Sequence, residues 1–303
     1  DFRYIEAAKM RVNGAECRMI TRVAESLSAL FAEAGIRRVF VESGLTLGEF
    51  DALKRDIPGV DWQGGAELEG WMGSLRLCKT PEELARIRQA QALTEYGFEH
   101  ILPFIRAGRT EREIALELEF LIRKQGAEGT AFDFIVVSGP NSSLPHGVPG
   151  ERVLQDGDFV TMDFGAMVDG WRSDMTRTVA IVSAEQRRVY DTVLEAQAAC
   201  LSVLRAGLPC VEGDRAARDV IDRAGYTGCF GHGTGHGVGV DIHEEPRLSP
   251  GAGRTILQAD SVVTVEPGIY LEGRFGVRIE DMVRITPDGC ENLTNARKEL
   301  ICL

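Results

Sequence analysis

Apolar residues recur at helical spacing in four long stretches of the chain, and each stretch begins with residues typical of a helix start. Thr80-Pro81-Glu82-Glu83 and Thr110-Glu111-Arg112-Glu113 are capping boxes, and Ser183-Ala184-Glu185-Gln186 repeats the pattern for a third helix. A fourth helix is predicted to begin with Asp214 as its cap and to end near Gly225. These helix start and stop signals therefore predict two pairs of long helices.

The first part of the chain has the pattern of a small α/β unit. Its opening residues read as the end of a strand, one helix ends at Gly35, and a strand is predicted over 38–42. Residues 63–74 read as a loose connecting segment. We therefore predict a partial α/β amino-terminal domain over residues 1–75 and a larger domain over residues 76–303.

A β-hairpin is predicted from Phe159 to Val182, because two runs rich in β-branched residues flank the dipeptide Asp169-Gly170. A two-residue turn places Asp163 opposite Thr176. Asp174 then lies two residues along the same strand, so both acids project from one face. Two carboxylates that share a half-buried face repel each other unless a proton or a cation lies between them. A solvated sheet face is the alternative interpretation.

The order of two helices, a strand and a hairpin occurs twice, about 100 residues apart. The helix pairs share a phrase, Ile105-Arg106-Ala107-Gly108 in the first half and Leu204-Arg205-Ala206-Gly207 in the second. We therefore predict an α+β domain with an internal duplication whose halves are related by a pseudo-twofold axis.

The second half contains the counterpart of this hairpin. Its predicted strands are residues 262–266 and 277–280, so Glu266 and Glu280 correspond to the two acids of the first half. Arg278 shares a strand face with Glu280. Four carboxylates that converge on one cleft cannot all be ionised without a compensating cation.

The histidines add a nitrogen ligand to this predicted site. His146, His232, His236 and His243 lie in polar or glycine-rich contexts, whereas the fifth, His100, falls on a predicted helix and is expected to be structural. Carboxylates with one imidazole suit Mn²⁺, Co²⁺, Zn²⁺ or Fe²⁺, and the absence of thiolates from the set argues against a structural zinc site. Two such ions about 3.5–4 Å apart form a hydrolytic centre.

Composition narrows the function classes. The formal net charge of −12 argues against a nucleic-acid partner, since phosphate binding needs a basic surface. No apolar run approaches the length of a membrane-spanning helix, so no membrane partner is expected. Seven scattered cysteines indicate reduced thiols and a cytoplasmic location.

Several ordered motifs resemble those of the pita-bread metallopeptidases, and within them the Xaa-Pro peptidases, aminopeptidase P and prolidase. The resemblance runs from about Thr80 to the end of the chain and implies the pita-bread (creatinase/aminopeptidase) fold. The motifs are Ser138-Gly-Pro-Asn-Ser-Ser-Leu-Pro-His146-Gly, Met162-Asp163-Phe164-Gly165, Ser173-Asp174-Met-Thr-Arg177-Thr178, Gly233-Thr-Gly-His236-Gly-Val-Gly, Ile242-His243-Glu-Glu-Pro246, Val265-Glu266-Pro267-Gly268 and Val277-Arg278-Ile279-Glu280-Asp281.

The resemblance implies a role for each of these acidic and basic residues. Asp174 and Glu280 would bridge two divalent ions, with Mn²⁺ favoured and Co²⁺ or Zn²⁺ as alternatives. Glu266 would also be the general base. The catalytic partners would be His146 and His243, which hydrogen-bond the substrate and the tetrahedral intermediate, and Arg278, which orients the ligands or pairs with a substrate carboxylate. The five implied ligands are Asp163, Asp174, His236, Glu266 and Glu280.

The implied reaction is hydrolysis of an amino-terminal Xaa-Pro peptide bond in a peptide with proline at its second position. The resemblance also implies a homodimer. The amino-terminal unit is shorter than is usual in the family, so we expect its first strands to be missing. The alternatives are a methionine aminopeptidase-like enzyme, a relative that acts on a non-peptide substrate, and a non-catalytic binding module of the same fold.

Overall fold

The computed structural model describes residues 1–180 and 184–303. These residues divide into two units, Asp1–Ser74 and Leu75–Leu303. Within the described ranges, every helix is too short or too polar to cross a bilayer. The helices are, in chain order, α1 (Ile5–Arg11), α2 (Val23–Ala34), α3 (Leu47–Asp56), α4 (Ala66–Leu77), α5 (Pro81–Ile101), α6 (Glu111–Lys124), α7 (Ala184–Val203) and α8 (Cys210–Arg223).

The amino-terminal unit contains a two-stranded parallel sheet, β1 (Arg38–Val41) and β2 (Asp61–Gly64). Gly35 ends α2 in the left-handed conformation, with a φ of 66°, as the sequence predicts for a helix that stops at glycine. Trp62 of β2 packs edge-on against Phe31 of α2, with the ring centroids 6.0 Å apart. This aromatic pair ties the helix to the sheet.

Two predictions for this unit are wrong. The opening residues do not end a strand but lead into α1, whose alanine, glutamate, lysine and methionine residues are good helix formers. The supposed loose segment over 63–74 contains most of α4. The helix includes Gly70 and Gly73, but each costs an exposed helix only about 1 kcal/mol relative to alanine. The surrounding glutamate and leucine residues offset that cost.

The second unit contains the remaining strands, arranged in small antiparallel sheets. One sheet has the order β4-β5-β8 and the largest has the order β10-β9-β11-β14-β15. The strands are β3 (Gly129–Thr130), β4 (Ile135–Ser138), β5 (Phe159–Phe164), β6 (Ala166–Val168), β7 (Trp171–Arg172), β8 (Met175–Ala180), β9 (Gly235–Gly237), β10 (Glu244–Leu248), β11 (Val262–Val265), β12 (Gly268–Leu271), β13 (Phe275–Arg278), β14 (Asp281–Ile285) and β15 (Cys290–Asn292).

The two capping boxes at α5 and α6 are confirmed. Thr80 and Thr110 each accept a hydrogen bond from the backbone of the glutamate three residues later, which reaches back to the threonine N–H. The third predicted box, at Ser183, lies outside the described residues. The fourth prediction is wrong, because α8 begins at Cys210 and Asp214 lies inside it, buried, where it accepts hydrogen bonds from Thr234.

The first hairpin has the predicted register. Asp169 and Gly170 have φ values of 49° and 79°, as a two-residue turn requires, and Asp163 faces Thr176. The arms are interrupted where Gly165 approaches the backbone of Ser173, since a Cβ at Gly165 would lie 1.9 Å from the Ser173 carbonyl oxygen. The hairpin therefore consists of an inner pair, β5 with β8, and an outer pair, β6 with β7.

The second hairpin was predicted with the wrong strand pairing. β11 does not pair with β13; it pairs with β14, and β12 pairs with β13. The reason is again an interruption of both arms, here around Glu266 and around Ile279-Glu280, which separates an inner pair from an outer pair. The two hairpins thus have the same construction, and the duplicated α+β architecture is confirmed.

Each half buries its own apolar core between its helix pair and its sheet. In the first half α5 and α6 pack against β4, β5 and β8, and in the second half α7 and α8 pack against β11, β13 and β14. A third cluster, which includes Ile87 of α5 and Met282 of β14, joins the halves. The interrupted hairpin strands of each half therefore pack against a well-packed apolar core.

Candidate metal centre

The acidic residues of both hairpins lie at or next to the interruptions of the strands. Asp174 stands between β7 and β8, and Glu280 occupies the equivalent place between β13 and β14. Asp163 lies near the end of β5 and Glu266 directly follows β11. A strand interruption turns a side chain away from the regular alternation, so these acids can converge on one point.

Three of the candidate ligands meet closely. Asp174, His236 and Glu280 each place one ligand atom so that these atoms lie within 4.8 Å of one another. His236 Nε2 lies 3.6 Å from Asp174 Oδ2 and 3.3 Å from Glu266 Oε1. All of these side chains are largely buried, with exposed fractions between 6% and 14% for the three joined by these distances. The structure therefore brings four of the five predicted ligands around one point.

Asp163, the fifth, is held at the edge of this cluster by Arg278. Arg278 Nη2 donates to Asp163 Oδ2 at 2.5 Å, and Arg278 Nε donates to Thr176 Oγ1 at 3.0 Å. Thr176 Oγ1 in turn donates to Glu280 Oε2 at 2.7 Å. The remaining nitrogen of the guanidinium, Arg278 Nη1, donates to the Pro145 carbonyl and to the hydroxyl of Tyr270. Arg278 thus links the carboxylates of both hairpins through a continuous set of hydrogen bonds.

Unpaired oxygen atoms show that the cluster fits a bound cation. Among the residues that the structure describes, no donor reaches Asp163 Oδ1, Asp174 Oδ1 or Glu280 Oε1, although all three atoms are buried. A buried carboxylate oxygen without a donor is costly, and a divalent metal ion would satisfy it. His236 completes the set, because its Nδ1 lies 3.1 Å from the Gly237 carbonyl and must donate to it. Its Nε2 then faces the acids, as in metal-binding histidines.

The pKa values respond to this crowding. Burial, followed by the charges of Glu280, Asp163 and Glu266, raises the pKa of Asp174 well above its usual 3.8. Burial and the same kind of repulsion raise the pKa of Glu280 well above 4.5. Burial also acts to raise the pKa of Glu266, but in the metal-free cluster a hydrogen bond and charge from His236 protonated on both ring nitrogens, with the charges of His232 and Arg278, outweigh it and lower the value to about 2. Two of the acids therefore favour a bound proton, or a cation in its place.

A cavity of about 670 Å³ opens above the cluster. His146 and His243 line it, as does Arg247 of β10, while Asp163, Asp174, His236, Glu266 and Arg278 form part of its wall. The lining also includes the apolar residues Phe132, Phe134, Ile135, Val148 and Ile242. The cavity thus combines apolar side chains with several polar groups, as small-molecule and peptide sites do.

The two catalytic histidines proposed from the sequence lie at this cavity. The rings of His236 and His243 pack edge to face, with centroids 4.5 Å apart. Burial, then the charges of His236 and Arg247, lower the pKa of His243 below its usual 6.5. His243 is therefore neutral near pH 7 and can donate a hydrogen bond from one ring nitrogen.

Sequence reasoning gave no role to three residues that the structure brings to the site. His232 was noted for its glycine-rich context, and its Nε2 lies 2.8 Å from the Tyr270 hydroxyl. That hydroxyl also accepts from Arg278 at 2.8 Å. Tyr270 and Arg247 carried no recognisable signal beyond their positions near the motifs. The pairing of the strands places Arg247 at the cavity and Tyr270 against His232 and Arg278.

Comparison with known proteins supports the family resemblance found in the sequence motifs. The profile of metallopeptidase family M24 matches residues 85–287. The Xaa-Pro dipeptidase of Pyrococcus furiosus is 42% identical over 237 residues, which cover 78% of this chain and 68% of the relative.

Two solved structures superpose on the whole chain. The Xaa-Pro dipeptidase from Bacillus anthracis is 42% identical with a TM-score of 0.95, and the match covers 100% of this chain and 85% of that one. The X-Pro aminopeptidase from Thermotoga maritima is 37% identical with a TM-score of 0.93, covering 100% and 86%. The fold implied by the sequence motifs is therefore confirmed. The chain belongs to metallopeptidase family M24.

Proposed function

We propose that the chain hydrolyses an amino-terminal Xaa-Pro peptide bond with the help of two divalent metal ions. The observation that carries the proposal is the buried cluster of acids and one imidazole beneath the cavity, with three carboxylate oxygens that have no donor among the described residues. Similarity to both an Xaa-Pro dipeptidase and an X-Pro aminopeptidase supports the substrate class.

The donor set fits the proposed metal ions. The residues that would hold them are Asp163, Asp174, His236, Glu266 and Glu280. When bound, the ions supply a water molecule of lowered pKa and polarise the scissile carbonyl. Oxygen-rich sites with one imidazole suit Mn²⁺, which we propose as the native metal ahead of Co²⁺ and Zn²⁺.

The remaining roles follow from the contacts of each side chain. Glu266, the acid of the cluster whose pKa is lowered rather than raised, would accept the proton of the attacking water. His146 and His243 donate hydrogen bonds to the peptide carbonyl as its oxygen gains charge. The guanidinium of Arg278 is engaged on every nitrogen by Asp163, Thr176, Tyr270 and the Pro145 carbonyl, which supports an orienting role over pairing with a substrate carboxylate.

Arg247 is the better candidate for a substrate carboxylate. It is exposed, it lines the cavity, and it forms no ion pair with any described residue. A dipeptide such as Ala-Pro carries its carboxylate on the proline itself, within one residue of the scissile bond. An unpaired guanidinium in the cleft would attract that carboxylate. We therefore propose a preference for dipeptides.

Cleavage assays test this preference with a matched pair of substrates. Arg247→Ala should raise KM for Ala-Pro by about tenfold or more, while KM for Ala-Pro amide, which lacks the carboxylate, should stay the same. Arg254→Ala, which removes an exposed arginine that does not line the cavity, is the control. An equal change for both substrates would exclude Arg247 as the carboxylate partner.

Three further features belong to the same proposal. The amino-terminal domain would span residues 1–75 and the catalytic domain residues 76–303. The chain would act as a homodimer, which sedimentation would test. All seven cysteines are free in the structure, which supports the proposed cytoplasmic location.

The decisive experiment compares Ala-Pro with Ala-Pro-Ala as substrates of metal-stripped protein to which Mn²⁺, Co²⁺ or Zn²⁺ is returned. We expect cleavage only after metal addition, with Ala-Pro preferred. Preference for the tripeptide would make the enzyme an aminopeptidase P. Cleavage of neither peptide by protein with two bound ions would refute the proposed substrate class and favour a non-peptide substrate, and failure to bind metal would favour a non-catalytic binding module.

A further inference from the structure

Glu111 is a buried acid outside the candidate metal centre, and it joins the two ends of a cleft segment. It is the first residue of α6 and has 0% exposure. Its Oε1 accepts from the backbone N–H of Ser138 at 2.7 Å and from the Ser138 hydroxyl at 2.9 Å. Its Oε2 accepts from the backbone N–H of Gly150 at 3.2 Å, and Asn141 Nδ2 donates to both oxygens. One carboxylate thus closes the segment 138–150.

This segment carries part of the cavity wall. Pro145, His146, Gly147, Val148 and Pro149 all line the cavity and all lie between the two residues that Glu111 holds. Glu111 forms no ion pair with any described residue, so its charge is balanced by hydrogen bonds and by the amino end of α6. Losing any of these donors would leave a buried charge partly unsatisfied, which makes the closed arrangement rigid.

The second half of the duplication contains a comparable acid. Asp214 of α8 is 2% exposed, and its Oδ1 accepts from the Thr234 backbone at 3.1 Å and the Thr234 hydroxyl at 2.9 Å. Arg218 pairs with the same carboxylate and donates to the carbonyls of Phe230 and His232. The Thr234 carbonyl then accepts the backbone N–H of Glu266 at 2.7 Å.

Glu111 and Asp214 make equivalent hydrogen bonds in the two halves of the duplicated domain. Each lies on the second helix of its pair, and each accepts from both the backbone and the hydroxyl of a serine or threonine that borders a histidine-bearing segment. Because Gly108 and Gly207 end the shared phrase, the residue that matches Glu111 is Cys210, and Asp214 lies one helical turn later on the same face. The arrangement is therefore duplicated although the sequence positions differ.

We propose that Glu111 and Asp214 are positioning residues: Glu111 fixes the segment that carries His146, and Asp214 fixes the segment that carries His232 and leads into His236. This inference rests on the proposed function for its kinetic consequences, but not for its structural ones. Glu111 contacts none of the five proposed ligands, so its effect should fall on turnover. Asp214 acts next to His236 and Glu266, so its effect should include metal retention.

Hydrogen exchange measures directly how firmly each acid holds its backbone segment, and it does not depend on catalytic activity. In Glu111→Gln one carboxylate oxygen becomes an amide nitrogen that cannot accept, so exchange of the amides over 138–150 should become about tenfold faster or more. Exchange over 230–234 should stay unchanged. Asp214→Asn should give the reverse pattern. Glu113→Gln is the matched control, because it changes an exposed glutamate in the same turn of α6 whose polar partners among the described residues are Thr110 and Arg109.

Kinetics of Ala-Pro cleavage then separate positioning from simple destabilisation. Glu111→Gln should lower kcat by roughly 10- to 100-fold, because a small displacement of a catalytic group has effects of that size, with bound metal unchanged. Added to His146→Ala, the same substitution should lower kcat by less than about threefold further, since both act through one imidazole. If Glu111→Gln does not fold, Ser138→Ala removes the hydroxyl that donates to Glu111 and accepts from Arg152, leaves the Ser138 backbone donor in place, and should show the same pattern at smaller size.

Three outcomes would overturn the inference. One is unchanged exchange at Ser138 and Gly150 in Glu111→Gln. The second is full multiplication of the two losses in the double variant. The third is loss of metal in Glu111→Gln equal to that in Asp214→Asn. If the unmodified protein cleaves no Xaa-Pro peptide, the proposed function fails, and the exchange experiment still decides whether these acids hold the two segments.

Discussion

Replacing Glu280 with glutamine should have opposite effects on the metal-free and the metal-loaded protein. Glu280 is 1% exposed, its Oε2 accepts from Thr176, and its Oε1 has no donor among the described residues. Glutamine has nearly the same shape and can still accept from Thr176 through its carbonyl oxygen. The substitution therefore removes a charge from the cluster with little change in packing.

The expected size follows from the spacing of the cluster. Two unit charges at the outer separation of 4.8 Å, in surroundings with an effective dielectric constant of about 20, repel by about 3 kcal/mol. Because Glu280 can take up a proton and so relieve part of this repulsion, we expect the metal-free variant to gain about 1–3 kcal/mol in stability. For a unit of this size each kcal/mol raises Tm by roughly 2–4 °C.

The pH dependence has a definite sign. The pKa of Glu280 is raised in the folded protein above its unfolded value near 4.5, so the folded state binds the proton more tightly. Its contribution to stability is present below about pH 4.5 and is lost as the pH rises through the folded-state pKa. Metal-free protein should therefore lose stability over this range, and Glu280→Gln should lose less.

Thermal unfolding with and without metal tests the predicted effects on the metal-free and on the metal-loaded protein. In the unmodified protein, metal at 100 times its Kd should add about 2.7 kcal/mol to the free energy of unfolding, whereas the variant should gain little. Glu212→Gln, which removes a partly exposed carboxylate paired with Arg215, should resemble the unmodified protein in both states. A metal-free Glu280→Gln that is less stable than the unmodified protein, or that gains as much from metal, would refute the reasoning.

Three further predictions concern a catalytic group, a buried ion pair and a close backbone approach. His243→Ala should lower kcat by about 100-fold while leaving the metal content intact, as measured by elemental analysis; equal loss of metal would contradict its proposed role. Asp281→Ala should reduce the free energy of unfolding in urea by about 3–5 kcal/mol, because it leaves the guanidinium of Arg177, 1% exposed, without its carboxylate. Gly276→Ala should lower stability by about 1–3 kcal/mol, because its Cβ would lie 2.2 Å from the Ser142 carbonyl oxygen; an unchanged Tm would show that this contact can relax.

The sequence by itself determined the features that depend on near neighbours. The capping boxes at Thr80 and Thr110 involve a residue and its third successor, so the local sequence contains the whole interaction. The Asp169-Gly170 turn set the register of its hairpin for the same reason. The duplication and the ordered motifs were sufficient for the fold and the family, since several independent short signals agreed.

Only the tertiary structure decided which distant segments meet. Asp214 was predicted as a helix cap, but it lies inside α8, and its carboxylate accepts a hydrogen bond from Thr234, which is 20 residues away in sequence. The second hairpin was predicted with the wrong pairing, because alternation shows which face a residue takes but not where a strand is interrupted. Thr176 and Glu280, joined by one hydrogen bond, are separated by 104 residues.

The same division holds within the candidate site. Residue types and motif order predicted the acids and His236, because metal ligands are limited to a few side chains. The bonds of Arg278 to Asp163 and Tyr270, and the position of Arg247 in the cleft, depend on how two sheets face each other. Contacts of this kind arise from the packing of whole elements, and no local pattern encodes them.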